Sequence, residues 1–303
     1  MTFEWTERTC PLCGSNKEAR VFAESNIDLD KLTEFAFASR KLPEYMHPRL
    51  LECGSCGILY GNPVLSPDSL SVLYREAAFD SHEESELASW IYFRIVQDYL
   101  GRLPDRKGAI DIGAGDGTFC ERLLESGFMN VVGIEPSEAP IAASNPKIRK
   151  HLLNQMFRAA DFSPDTVSLI TCFQVMEHVT TPMEIASSAM RILKPKGLFM
   201  AVAHNQRSLS ATILGLKSPI YDIEHLQLFT KKSARKLLEN AGFEQIQVFP
   251  IWNRYPLQYW ARLFPLPDGI KSGLSSMLKT TRLGNIRVSI PAGNLVLLGF
   301  KPA

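Results

Sequence analysis

"AIDIGAGDGTFC", residues 109–120, runs a short apolar strand straight into a turn of alternating glycines. Glycine turns between a strand and a helix commonly cradle the phosphates of a nucleotide. Here the glycines fall at 113, 115 and 117, so Thr118 occupies the third place of a dinucleotide fingerprint. No Lys-Ser or Lys-Thr pair follows, which excludes a P-loop. Asp111 precedes the turn and Asp116 lies within it, and two carboxylates are poor neighbours for a pyrophosphate. The expected ligand is nucleotide-like but not anionic.

Downstream, strands and helices alternate, which is the pattern of a parallel sheet with helices on both faces. "GAIDI" is a strand, "TFCERLLES" a helix closed by Gly127, and "NVVGI" a second strand ending at Glu135. "VSLITCF" reads as a central strand, and "GLFMAVA", "FEQIQVF" and "NLVLLGF" as later ones. Thr181-Pro182-Met183-Glu184 has the form of a capping box with proline at the first helical position. "TKKSARKLLENAG" puts Ala234, Leu237, Leu238 and Ala241 on one helix face, with Gly242 as the stop. In such sheets the ligand lies beyond the carboxyl ends of the strands, near the point where strand order reverses. Asp111, Glu135 and residues 173–178 all fall at such ends. A carboxylate at 135 can accept both ribose hydroxyl protons, while Asp111 or Asp116 can face a cationic amino group.

An adenosine, a sulfonium and an ammonium without any phosphate describe S-adenosylmethionine. "DIGAGDG", "VVGIEPS", "ITCFQVMEHV" and "RILKPKGLF" together resemble class I methyltransferases of the ubiquinone/menaquinone-methyltransferase-like group, over residues 108 to about 250. The resemblance implies an α/β, Rossmann-like, seven-stranded sheet with helices on both faces, whose last strand (293–301) is antiparallel. It makes Gly113, Gly115 and Gly117 the cofactor loop, beside Asp111, and sets Glu135 on the ribose. Phe173, Gln174 and His178 then line the cofactor and the transfer site. Relatives usually carry "SFDLI" on the central strand, where this chain has Ser168 in place of Asp. The adenine contact falls to Asn154, Gln155 or Met156 in an unusual stretch, 152–162.

Two C-x-x-C-G units precede this core: Cys10, Cys13 and Gly14, then Cys53, Cys56 and Gly57. Each pair can converge two thiolates on one ion, and together they supply the four ligands of a closed tetrahedral zinc site. A closed site leaves no position for substrate, so the expected role of Zn2+ is structural, supplying folding energy to a segment too small for a good core. Cys120 and Cys172 lie outside this pattern and read as packing residues. The expected organisation is a zinc ribbon (1–65), a helical linker or cap (66–105) and the S-adenosylmethionine-dependent domain (106–303).

Lys plus Arg number 33 and Asp plus Glu 32, so no strong overall field recruits nucleic acid or an anionic membrane. No signal-peptide pattern opens the sequence and no apolar run is long enough to insert in a membrane, which gives a cytoplasmic reading. Methyl transfer to a hydroxyl or a C–H acid usually needs a base, whereas a neutral amine does not. His225 in "YDIEHLQLFT" is the candidate base, with Glu224 to orient or charge it. The alternative is that His225 only anchors a long loop by a hydrogen bond. His178 is a catalytic candidate that can equally serve the architecture of the cofactor pocket. The ribbon and the Glu-His pair are similar to sugar-nucleotide C-methyltransferases. Those enzymes continue into a further carboxyl-terminal domain, whereas this sequence ends at Ala303. The layout is closer to methyltransferases of surface-glycan and secondary-metabolite pathways, and O-methylation of a small-molecule or glycan-precursor acceptor is expected, with C- or N-methylation as alternatives. Residues 252–279 can form a substrate cover, a homodimer contact or a packing layer. An RNA-modifying enzyme and a non-catalytic binding module are the remaining readings; the acidic "DSHEESE" beside the ribbon speaks against RNA.

Overall fold

The computed structural model describes residues 4–28, 37, 44–77, 79, 82–264 and 268–303. Parts of the ribbon segment, of "DSHEESE" and of 252–279 therefore lie outside the described residues. The amino-terminal strands are β1 (Trp5–Thr6), β2 (Ala19–Ala23), β3 (Leu50–Cys53), β4 (Leu59–Gly61) and β5 (Val64–Leu65). Two helices follow, α1 (Pro67–Arg75) and α2 (His82–Gln97). Ser66 caps α1, its hydroxyl accepting from Ser69 N–H, and proline stands in the first turn.

The core then alternates as its sequence period requires. It runs β6 (Gly108–Ile112), α3 (Thr118–Glu125), β7 (Asn130–Glu135), α4 (Glu138–Ala143), α5 (Pro146–Arg149), β8 (Leu152–Asn154), β9 (Val167–Phe173), α6 (Pro182–Ile192) and β10 (Leu193–His204). It continues with α7 (Leu209–Leu214), β11 (Gln227–Leu228), α8 (Lys231–Asn240), β12 (Glu244–Pro256), α9 (Leu257–Leu263), α10 (Asp268–Thr280) and β13 (Arg287–Phe300). The large sheet has seven strands in the order β12-β13-β10-β9-β6-β7-β8. Pairings from β10 to β8 are parallel, whereas β13 runs antiparallel to both β10 and β12. Strand order reverses at β6, so the crevice forms where β6, β7 and β9 end.

Both sheet faces are covered. Ala234, Leu237 and Leu238 of α8 pack with α6 and the ribbon cysteines on one face, and α2 and α3 pack on the other. Fully burying each leucine stabilises the fold by roughly 1.5–3 kcal/mol. The Thr230 and Ser233 side chains cap α8 reciprocally. The expected capping box at α6 is absent: Thr181 Oγ1 donates instead to Glu184 Oε2 at 2.9 Å, so two side chains satisfy each other. Cys120 and Cys172 are buried in the core as packing residues.

The ribbon sheet has the order β11-β4-β3-β2. Its edge strand β11 comes from the connection between β10 and α8, paired Gln227↔Tyr60 and Leu228↔Leu59. The amino-terminal segment and the catalytic core thus share one sheet.

Candidate functional site

The glycine turn takes the conformation its residues dictate. Gly113, Gly115 and Gly117 all have positive φ (76°, 56° and 78°), where side chains are strained. A Cβ on Gly113 would lie 2.2 Å from Val175, whereas the space at Gly115 is open. The backbone here is a cradle facing the crevice. Glu135 braces it: Oε2 accepts from Gly115 N–H and Oε1 from Ser137 N–H, each at 2.9 Å. The remaining lone pairs of this buried carboxylate belong to the cavity that it lines.

That cavity measures about 820 Å³ and is also lined by Asp111, Phe173, Gln174 and His178. Asp111 is buried and accepts from Thr171 Oγ1 at 2.7 Å; burial pushes its carboxyl up to about 7 against that hydrogen bond. Asp116 does not face the ligand space. It accepts from Ser85 Oγ at 3.0 Å and Thr118 Oγ1 at 2.7 Å, and meets His82 Nδ1 at 2.6 Å, locking α2 to the turn. Phe173 packs between Tyr92, tilted at 4.6 Å between centroids, and Phe119, edge-on at 4.8 Å. Gln174 has φ 56° and donates its N–H to Val202 O, turning the chain out of β9. Of the adenine candidates only Met156 lines the cavity; Asn154 is tied to Glu135 O and Pro136 O, and Gln155 to Asp161.

Three imidazoles stand together at the other end. His225 lies 5.0 Å from His178 and 4.6 Å from His204, centroid to centroid. Nδ1 of His225 is 2.9 Å from Ile220 O, and a carbonyl can only accept, so Nδ1 carries the proton and Nε2 is the basic nitrogen. Nε2 is 3.7 Å from Glu224 Oε1. His178 Nδ1 meets Tyr74 Oη at 3.0 Å and Glu224 O at 3.1 Å, which ties the β9 end and α1 to the loop. His204 Nδ1 is 2.8 Å from Asn294 Oδ1, and behind it burial pushes Glu177 up to about 8. Tyr74, His204 and Glu177 were not legible as site residues, because their roles depend on segments distant in sequence. Strand-end position was the one available signal, and it applied to His204 and to Glu177, which lies within 173–178.

The four cysteines also converge. Their sulfur atoms all lie within 4.8 Å of one another, and Cys10 and Cys56 Sγ are 3.7 Å apart. Thiolates about 2.3 Å from one zinc stand about 3.8 Å apart at tetrahedral corners, so the donor set fits that metal. Gly14 and Gly57 follow each knuckle at φ 67° and 74°, donating to Cys10 O and Cys53 O. One zinc per chain is expected by elemental analysis of protein purified without chelator; iron–sulfur absorbance, or no metal, would exclude the assignment.

Arg8, beside the first knuckle, joins the ribbon to the imidazole cluster. Its guanidinium donates to Gly61 O at 2.9 Å, Thr180 O at 3.1 Å and, by a short contact, Leu226 O.

The strand order, the glycine cradle and the braced Glu135 define a class I S-adenosylmethionine-dependent methyltransferase fold. The chain belongs to the methyltransferase-domain family, which it matches over residues 79–248. It is similar to the ubiquinone biosynthesis O-methyltransferase of Methylococcus capsulatus, 29% identical over an alignment 168 residues long that covers 49% of this chain and 70% of that protein. The enzyme of the same name from Pseudomonas fluorescens is 27% identical over 117 residues, 36% of this chain and 50% of its own length. The chain thus spans only about half of several curated relatives that it matches. Among solved structures, phosphoethanolamine N-methyltransferase 2 of Haemonchus contortus with S-adenosyl-L-methionine superposes with a TM-score of 0.51 at 15% identity. The match covers 81% of this chain and 63% of that one, a likeness of fold alone. No helix among the described residues is long and apolar enough to cross a membrane.

Proposed function

We propose that this protein transfers a methyl group from S-adenosylmethionine to a hydroxyl of a small-molecule acceptor, a sugar or glycan precursor included, with His225 as general base. The observation that carries this reading is the fixed tautomer of His225, which turns a basic Nε2 toward Glu224 in the cavity wall. When bound, S-adenosylmethionine supplies an activated methyl and a good leaving group. Glu135 holds the ribose hydroxyls, Asp111 and the Gly115 backbone face the amino-acid end, and Phe173 with Gln174 fills the wall between. His225 Nε2 takes the hydroxyl proton as the new bond forms, and Glu224 stabilises the imidazolium that results. His178 holds the loop through Glu224 O.

The described residues lining the cavity include carboxylates at 111, 135, 184, 222 and 224 but no Lys or Arg. An acceptor phosphate would find no counter-charge there, so the part of the acceptor inside the cavity carries no negative charge. The same acid-rich wall favours an amine as second reading; an amine acceptor methylated equally well by a His225 variant would establish it.

Cofactor binding gives the direct test. S-adenosylmethionine is expected to raise Tm by mass action, and Glu135→Ala to diminish that shift. A ligand ammonium binds the carboxylate form of Asp111, so binding releases a proton, and affinity should fall as pH drops below about 7. Asp111→Asn should flatten that dependence. A Tm shift by NAD and none by S-adenosylmethionine would overturn the reading of the turn.

A further inference from the structure

The two outer strands continue past the sheet edge. β12 and β13 stay paired through Tyr255↔Val288 and Pro256↔Arg287, with α9 and α10 between them. From Trp252 to Ile290 the sequence holds six basic residues and a single acid, Asp268, although the whole chain carries only +1. Near-neutrality overall therefore conceals a local cationic surface. Arg262 pairs with Glu84 at 3.7 Å, while Arg254, Lys279, Arg282 and Arg287 pair with no described carboxylate.

Apolar side chains interleave with these cations. Trp252, Phe264, Ile270, Met277, Leu283 and Ile286 are 46–60% exposed, six of the sixteen large hydrophobics exposed among the described residues. Along the chain these six fall within residues 252–290, and a local concentration of exposed apolar side chains is a feature of docking surfaces. Ile270 and Met277 are two turns apart and share one side of α10. Nearby, α7 exposes Leu209 and Ile213 beside β13, where Ser208 would touch a Cβ placed on Gly293. The surface is continuous with the cavity, because Trp260, Leu263 and Phe264 of this arm also line it.

We propose that this arm docks on an anionic lipid bilayer, with its apolar side chains entering the headgroup region and its Lys and Arg residues meeting lipid phosphates. A bilayer answers both features at once. RNA would engage the cations but leave Ile270 and Met277 in water, and a second copy of this surface would bring like charges together. Docking there sets the apolar end of the cavity against the membrane, where an acceptor with an apolar tail can enter.

The test is flotation of the full chain with vesicles of phosphatidylcholine, alone or with about 30 mol % phosphatidylglycerol. Partition into the anionic vesicles is expected to be at least roughly tenfold higher, and to weaken as salt shortens the Debye length. Lys279→Glu with Arg282→Glu and Arg287→Glu should remove that preference, and Ile270→Ser with Met277→Ser should lower binding to both vesicle types. All variants should keep the Tm shift by S-adenosylmethionine, which separates this proposal from the methyl-transfer reading. Equal partition into neutral and anionic vesicles, or wild-type binding by the variants, would overturn it. So would a dimer dissolved by these substitutions without any vesicle affinity, or salt-sensitive RNA binding in its place.

Discussion

His225→Ala is expected to lower turnover on a hydroxyl acceptor by roughly 10²–10⁴, with the Tm shift by S-adenosylmethionine nearly unchanged. The magnitude is that of one positioned proton acceptor. The selectivity follows from placement, since His225 belongs to the imidazole cluster while Glu135 and the glycine cradle hold the other end of the cavity. Glu224→Gln should cause a smaller loss and shift the pH–rate profile downward, because the carboxylate 3.7 Å from Nε2 favours the imidazolium. His225→Gln tests the tautomer directly. It can still donate to Ile220 O and hold the loop, but it cannot take a proton, so it should be as inactive as the alanine variant. Activity restored by glutamine would make His225 a loop anchor and remove it as the base.

Much of the core was legible because its signals are local. The glycine spacing, the acid ending the next strand and the helical stop at Gly242 are each set by a few neighbouring residues, and each has its structural counterpart. Local signals fall short where a distant segment decides. Asp116 had the same sequence credentials as Asp111, but α2 claims it through His82 and Ser85. "FEQIQVF" and "NLVLLGF" read as short strands, yet their pairing continues to Pro256↔Arg287, because the exposed arm extends the ladder beyond the apolar run. The 66–105 segment read as a helical linker or cap, and the reach of Tyr74 within it to His178 had no local signal. Arg8 gave no signal at all. Its partners Thr180 and Leu226 lie 172 and 218 residues away, and no local pattern encodes such a contact.

Loss of the zinc expected in the ribbon should slow methyl transfer by about 10²-fold while leaving cofactor binding intact. The physical link is the shared sheet. β11 follows His225 by one residue and pairs with β4 of the ribbon, and Gly61 N–H also donates to Leu226 O. Arg8 adds a cation that grips carbonyls just after His178 and His225, and burial lowers its pKa only to about 10, so it remains charged at neutral pH. Zinc would fix the knuckles from which these contacts start, since Cys10 and Cys53 flank them in sequence. A chelated protein is therefore expected to exchange the amides of Leu226, Gln227 and Leu228 faster, while Gly115 and its neighbours stay protected. Arg8→Ala should reproduce the effect with the metal still bound: a fall in kcat of about 10²-fold from a displaced base, and little change in the Tm shift by S-adenosylmethionine. Arg8→Lys keeps the charge but loses the fork that spans three carbonyls, so it should recover only part of the activity. Unchanged exchange at 226–228 after metal removal would show that the loop stands without the ribbon. Loss of cofactor binding in step with activity would instead mean that the metal holds the whole fold and not the placement of His225.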